Sequence, residues 1–231
     1  LNKAIYGLTY ANNGTDATND LDIAVGGAMD ATGAYWMTLA SAITKQSDVA
    51  WAVGSAAGGL DTGAVGNSDY YIWLIARSDT GVVDVLFSLS STAPTMPANY
   101  DFKRLIGWFK RVGGTIVAFT TYEILGGGLE LLWTTPTLEV NLANTLTTAR
   151  RTDAVKVPLN FSVIAILNIK SGDAAAGHAT WVYCPDQADQ APTGTAAPLG
   201  VSQTSSVAAP AGDMWQQRVR TSATGTIAAR A

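Results

Sequence analysis

The triplet Asp-Thr-Gly occurs twice, at Asp61-Thr62-Gly63 and at Asp79-Thr80-Gly81. A two-lobed aspartic protease needs two such triplets, because its carboxylates share one proton across a symmetric interface, each carried on its own lobe. Asp61 and Asp79 are too close in sequence to sit on separate lobes. A homodimer would need one triplet per chain, and "LDTGA" at 60–64 with "ILG" at 124–126 follows that layout superficially. The Arg-Asn or Arg-Asp expected after the second motif is replaced by Gly127-Gly128, so Asp61 reads as part of a Gly-rich loop and the second triplet as a hairpin turn. His178 is the only imidazole, and any Ser-His-Asp or Cys-His mechanism must use it. In "GHATWVYC" it alternates with Thr180, Val182 and Cys184 on one strand face, which reads as a tolerated strand histidine. Glu123, Glu130 and Glu139 could serve glycoside hydrolysis, but no spacing selects a pair. One His and one Cys cannot assemble a zinc site, and Cys184 cannot close an intrachain disulfide. The expectation is therefore a protein without catalytic, cofactor-binding or metal-ligating residues, and not an enzyme.

Two basic pairs, Lys103-Arg104 and Lys110-Arg111, bracket "LIGWF". They could form a small anion patch; the alternative is a strand whose apolar middle crosses the core while its charged ends reach solvent. Fourteen Lys and Arg stand against 18 Asp and Glu, a net charge of −4, which argues against nucleic acid as a partner. Charged residues make up only 14% of the 231, well below the usual quarter for soluble proteins. Such a surface suits a protein covered by copies of itself or by a larger assembly. Seven Trp residues (Trp36, Trp51, Trp73, Trp108, Trp133, Trp181 and Trp215) are many for this length; exposed, they could stack on sugar rings, but most fall in expected strands and read as core or interface.

These residues must be positioned by short apolar or alternating runs punctuated by Gly, Asn, Asp and Pro, the signature of antiparallel strands. The expected fold is all-β, an antiparallel β-sandwich of jelly-roll-like character with long Pro/Gly-rich loops near the C-terminus. "YYIWLIAR" at 70–77 is apolar on both alternating faces and reads as a central strand covered on both sides. "VVDVLFS" at 82–88 follows it through "SDTG", where Gly81 can take the positive φ of a short hairpin loop. Further strands are expected near 22–26, 35–40, 49–53, 103–111, 115–122, 129–134, 138–142, 159–169, 178–184, 214–220 and 225–229. The sandwich is expected to span 1–184, with 185–231 completing or extending the same domain. Residues 185–212 carry four of the eight prolines and no aromatic residue, and read as loop. The uncharged stretch 190–212 is too broken by proline to insert in a membrane. The chain opens on Leu1 with no signal peptide, so an N-terminal piece such as an anchor is expected to precede it.

The stretch "GGLDTG" followed by "YYIWLIARSDTGVVDVLFSLSSTAPTMPANYDFKRLIGW" resembles a family of tailed-bacteriophage and prophage virion proteins. The shared features are a WY-type apolar strand, a G-x-VD-x-LFS-x-S strand, a P-x-x-P-x-x-Y loop and a KR-x-IG strand. "YGLTYANNGTDATNDLDIAVGGAMD" is similar to the opening of that domain, and "TTARRTDAVKVPLNFSVIAILN" is similar more weakly. Asp101 and the stretch 124–130 depart from the pattern. These are packing and turn motifs and carry no catalytic residue. The resemblance implies a non-enzymatic virion structural protein, assembled in the host cytoplasm and carried on the extracellular particle. Within the particle it implies a tail-fibre, receptor-binding or spike component that attaches to the host surface. A capsid decoration or tail-associated protein without receptor contact is the structural alternative, and a glycan-cleaving tailspike the enzymatic one. Expected partners are further copies of the chain in a homotrimer, other virion proteins, and a host cell-surface glycan or protein.

Overall fold

The computed structural model describes residues 4–125, 127–141, 146–171, 178–189, 201–205 and 213–230. Every regular element among them is a strand, so the all-β expectation holds. The chain divides into two compact units, Leu1–Pro136 and Thr137–Ala231, a division that falls well before the 184/185 boundary drawn from composition.

The first unit contains thirteen strands among its described residues: β1 (Ile5–Gly7), β2 (Tyr10–Asn12), β3 (Asp20–Ile23), β4 (Gly26–Met29), β5 (Trp36–Leu39), β6 (Ile43–Ala50), β7 (Ala57–Leu60), β8 (Asp69–Ala76), β9 (Val83–Ser88), β10 (Phe102–Val112), β11 (Thr115–Ile116), β12 (Phe119–Glu123) and β13 (Leu129–Trp133). A small sheet of order β1-β4-β5 faces a large one of order β11-β10-β8-β9-β7-β6-β3-β2-β12-β13. Ala28, Met37 and Leu39 of the small sheet join Tyr70, Ile72, Leu74 and Phe87 of the large one in a single apolar core, which makes the unit a sandwich. All eight residues of β8 are buried, as its apolar character on both faces predicts.

Pairing is antiparallel except at β7, which runs parallel to both β6 and β9. No alternation marks "AGGL" as a strand; close approach selects it. A side chain at Gly58 would meet the Ala50 carbonyl at 2.0 Å, and one at Gly59 would meet the Phe87 ring at 2.7 Å. Only glycine lets the neighbours come so near. The run expected at 115–122 is split into β11 and β12.

The second unit holds β14 (Arg151–Ala154), β15 (Ile164–Ser171), β16 (His178–Tyr183), β17 (Val201–Ser205), β18 (Asp213–Arg220) and β19 (Thr226–Arg230). One sheet has the order β14-β19-β16-β17, and β15 pairs with β18 in another. Their core is Val182, Val219, Ile227 and Ala229. Residues 185–212 are not loop throughout, because Val201–Ser205 adds β17 to the edge of β16; 190–200 and 206–212 lie outside the described residues. Residues 138–141 form no strand, and 142 lies outside the described residues. Residues 159–163 precede β15 rather than belong to it, with Asn160 at φ 64° interrupting the extended run.

Candidate functional site

Leu60 ends β7, and the next residue, Asp61, still donates its backbone N–H to the Phe87 carbonyl of β9 at 2.9 Å. Its carboxylate accepts the backbone N–H of Thr95 at 2.9 Å, tying the loop 90–99 back to the end of β7. Within that loop Ser90 Oγ accepts the N–H groups of Thr92 and Ala93, and Trp73 Nε1 donates to the Ser90 carbonyl at 3.1 Å. Tyr100 closes the loop, edge-on to Trp51 with ring centroids 5.1 Å apart. Burial raises the Tyr100 phenol above its usual range, and the Asp84 carboxylate adds to the shift.

Asp79 has a different partner. Both its oxygens are held by Arg77, at 2.9 and 2.6 Å, and this guanidinium keeps the carboxyl at about 2. Gly81 sits in the β8–β9 hairpin at φ +69°, as its position in the loop requires. Ser78 of the same hairpin donates to Asp101, which drops below the usual carboxylate range because of that bond. Asp61 and Asp79 therefore serve as two separate loop staples. A proton-sharing dyad would need the two carboxylates to face each other, and each is instead bound to a different partner.

A buried ion pair lies behind these loops. Asp84 and Ser88 alternate away from Val83, Val85 and Phe87, yet Asp84 is buried. Lys45 of β6 meets it, Nζ to Oδ1 at 3.2 Å, with the two side chains 0% and 1% exposed. Lys45 also donates to the carbonyls of Ala52 and Gly54, while Asp84 accepts the N–H groups of Gly54 and Val85. Desolvation pulls the Lys45 ammonium below its ordinary range, and Asp84 opposes that pull. The pair pins the loop 51–56, and Trp51 reinforces it by donating to the Val85 carbonyl at 3.0 Å. A buried charge pair so fully hydrogen-bonded holds a geometry more than it adds stability.

The basic pairs correct an expectation. Lys110 pairs with Asp69 at 2.9 Å, and Lys103 lies over the Trp73 ring at 5.8 Å. Arg111 does not reach solvent; it is buried and donates to Thr18, Ser47, Asn19 and Gly114. It ties the loop 13–19 to the β10–β11 turn, so Lys103, Lys110 and Arg111 are each engaged by groups of the same unit.

Glu123 accepts the Gly7 N–H at 3.1 Å, and Glu139 pairs with Lys156 at 3.1 Å, so each has a structural partner. Glu130 lies on β13 opposite Tyr122. His178 opens β16, with its side chain outside the described residues. Cys184 is a free thiol just after that strand. Among the described residues no three His, Cys, Asp or Glu side chains gather at metal-binding range. Of the seven Trp residues, Trp108 and Trp73 are buried, whereas Trp36 stands exposed.

The arrangement that emerges in the first unit is a set of loops, 51–56, 77–82 and 90–101, joined by the Trp51–Tyr100 and Ser78–Asp101 contacts and tied to the end of β7 by Asp61–Thr95. They project Thr92, Ala93, Thr95, Ala98 and Asn99 to solvent from an ordered base. Fold and site together define an all-β sandwich with a rigidly supported loop end. No family model, curated protein or solved structure matches the chain.

Proposed function

We propose that this chain is a non-enzymatic structural protein of a bacteriophage particle, a tail-fibre or spike component whose loop end faces the host surface. The observation that carries the reading is the division of labour in the first unit. The stretches that resemble phage virion proteins, 58–63 and 70–108, supply the central strands β8, β9 and most of β10 together with the loops between them, and the exposed tips of those loops are held by the Asp61–Thr95, Arg77–Asp79 and Ser78–Asp101 bonds rather than by the core. Surface display asks for such a division, because end loops can vary without disturbing a packed core. The low charge content supports a chain whose remaining surface is covered by copies of itself, and a homotrimer is the proposed assembly.

The test begins with the particle. Mass spectrometry and antibody labelling of purified virions should find the chain at the distal tail or a spike; its absence from the particle would overturn the proposal. Exchanging residues 90–99 for the loop of another phage should change host adsorption while leaving thermal unfolding within a few degrees. Unchanged adsorption would favour a decoration or tail-associated role without receptor contact. Mass photometry of the purified chain should report trimers, and a monomer that also lacks lateral contacts in the particle would refute the assembly.

A further inference from the structure

The outer face of the small sheet carries an unusual pair. Tyr6 on β1 and Trp36 on β5 lie with ring planes 8° from parallel and centroids 5.8 Å apart, 51% and 38% exposed. The strand between them explains how they are held. Gly27 of β4 lies directly opposite Tyr6 and Thr38, and Met29 lies opposite Trp36. A Cβ at Gly27 would meet Trp36 Cζ2 at 2.9 Å and Tyr6 Cε1 at 3.0 Å, so the missing side chain is the space over which both rings extend. Asp30 fixes the approach to Trp36. Its two oxygens accept the N–H groups of Thr32, Ala34 and Tyr35 and the Thr32 hydroxyl, and Tyr35 stacks on Phe102 at 4.3 Å.

Two features of this face indicate what it binds. Among the described residues, neither the Tyr6 hydroxyl nor the Trp36 indole N–H makes a hydrogen bond, whereas Trp51 and Trp73 donate theirs to backbone carbonyls. The residues that share the face, Tyr6, Gly27, Met29, Trp36 and Thr38, include no charge, in a chain of net charge −4. Nucleobases also stack on aromatic rings, but their phosphates need cations that are missing here. A neutral sugar ring needs none. Its C–H face carries partial positive charge and seats on the negative face of an aromatic ring, while its hydroxyls take up free donors at the rim.

We infer that the Tyr6–Trp36 pair over Gly27 is a binding platform for a neutral saccharide, with the Thr38 hydroxyl, the Tyr6 hydroxyl and the Trp36 N–H as polar contacts. The platform adjoins the loop end through the Asp30 turn, since Ala31 donates to the Lys103 carbonyl and the Tyr35 hydroxyl lies beside Gly81 of the hairpin. The inference rests on the host-attachment reading and supplies its ligand class.

The experiment uses the full chain on an array of immobilised neutral oligosaccharides built from hexoses and N-acetylhexosamines, with sulfated and uronic-acid glycans in parallel. At least one neutral glycan should be retained. Trp36→Ala and Tyr6→Ala should each weaken retention by about tenfold or more, and Trp36→Phe should keep most of it, because the ring supplies the contact. Thermal unfolding of each variant, together with mass photometry, separates loss of a contact from loss of fold or assembly. Retention of acidic glycans alone, no retention at all, or neutral-glycan binding that Trp36→Ala leaves unchanged would overturn the platform. So would a change of oligomeric state in Trp36→Ala with glycan binding intact, since the face would then be an interface between copies. A chain found in virions that retains no glycan defeats the platform alone; a chain absent from virions that does retain one defeats the virion assignment alone.

Discussion

Replacing Asp30 by Asn should destabilise the first unit in a manner that depends on pH. Burial by itself would raise the Asp30 carboxyl, but hydrogen bonds from the Thr32 hydroxyl and from the backbones of Tyr35, Thr32 and Ala34 outweigh it and bring the group from 3.8 to about 2. A carboxyl depressed on folding contributes stability that is complete above its unfolded pKa and fades as pH falls through the folded one. The window is therefore about pH 4 to 2. Each tenfold weakening of proton binding on folding is worth about 1.4 kcal/mol, so the carboxylate contributes about 2 kcal/mol at neutral pH. Asn keeps one acceptor oxygen and cannot ionise, and its amide group confronts donors that now lack a partner. Urea unfolding of the full chain followed by tryptophan fluorescence should show Asp30→Asn less stable by about 2 kcal/mol at pH 7, a midpoint shift of the order of 1 M. Amide exchange at Ala34 and Tyr35 should accelerate in the same variant. The gap between the two proteins should close as pH approaches 2, where the native carboxyl also takes up its proton. A gap that persists unchanged to pH 2, or one below about 0.5 kcal/mol at pH 7, would refute the linkage argument. Because the turn leads directly into Trp36, the same substitution should weaken any saccharide retention without touching the rings.

Gly81→Val forces a β-branched residue to φ +69° and should cost at least about 1–2 kcal/mol in thermal or urea unfolding; a neutral result would mean the hairpin relaxes to negative φ. Lys45→Met alone leaves Asp84 buried without its cation and should cost about 3–5 kcal/mol, whereas Lys45→Met with Asp84→Leu should recover most of that loss; equal losses in the single and double variants would contradict the pairing. Gly107→Ala places a methyl 2.4 Å from the Tyr10 ring, whose hydroxyl accepts the Trp108 N–H, and should destabilise by about 1–3 kcal/mol in the same assay. Asp61→Asn keeps an acceptor for the Thr95 N–H and should shift stability by less than about 1 kcal/mol. Peptidase activity that disappears with this substitution would defeat the reading of Asp61 as a loop staple.

Features that depend on neighbours along the chain are legible in the amino-acid order. The two-sided apolar run of β8, the hairpin at Asp79-Thr80-Gly81 with its positive-φ glycine, and the all-β class follow from alternation and turn chemistry, which operate over a few residues. Whatever depends on a partner from elsewhere is settled by tertiary packing. β7 is a strand because Ala50 and Phe87 close on two glycines, and no local pattern announces that. Arg111 reads as a solvent-facing strand end until the loop 13–19 closes over it, and nothing near Asp84 in sequence announces its buried partner Lys45. The Asp-Thr-Gly triplets identify themselves as a loop and a turn, but which groups their carboxylates hold, Thr95 in one case and Arg77 in the other, is set by how the loops converge. Trp36 reads like any other strand tryptophan. It stays exposed because β5 turns Met37 and Leu39 into the core and leaves the alternate face of a three-stranded sheet uncovered, and Gly27 on the central strand leaves room for it beside Tyr6. Periodicity assigns a residue to a face; only the packing of the second sheet decides which face is inside.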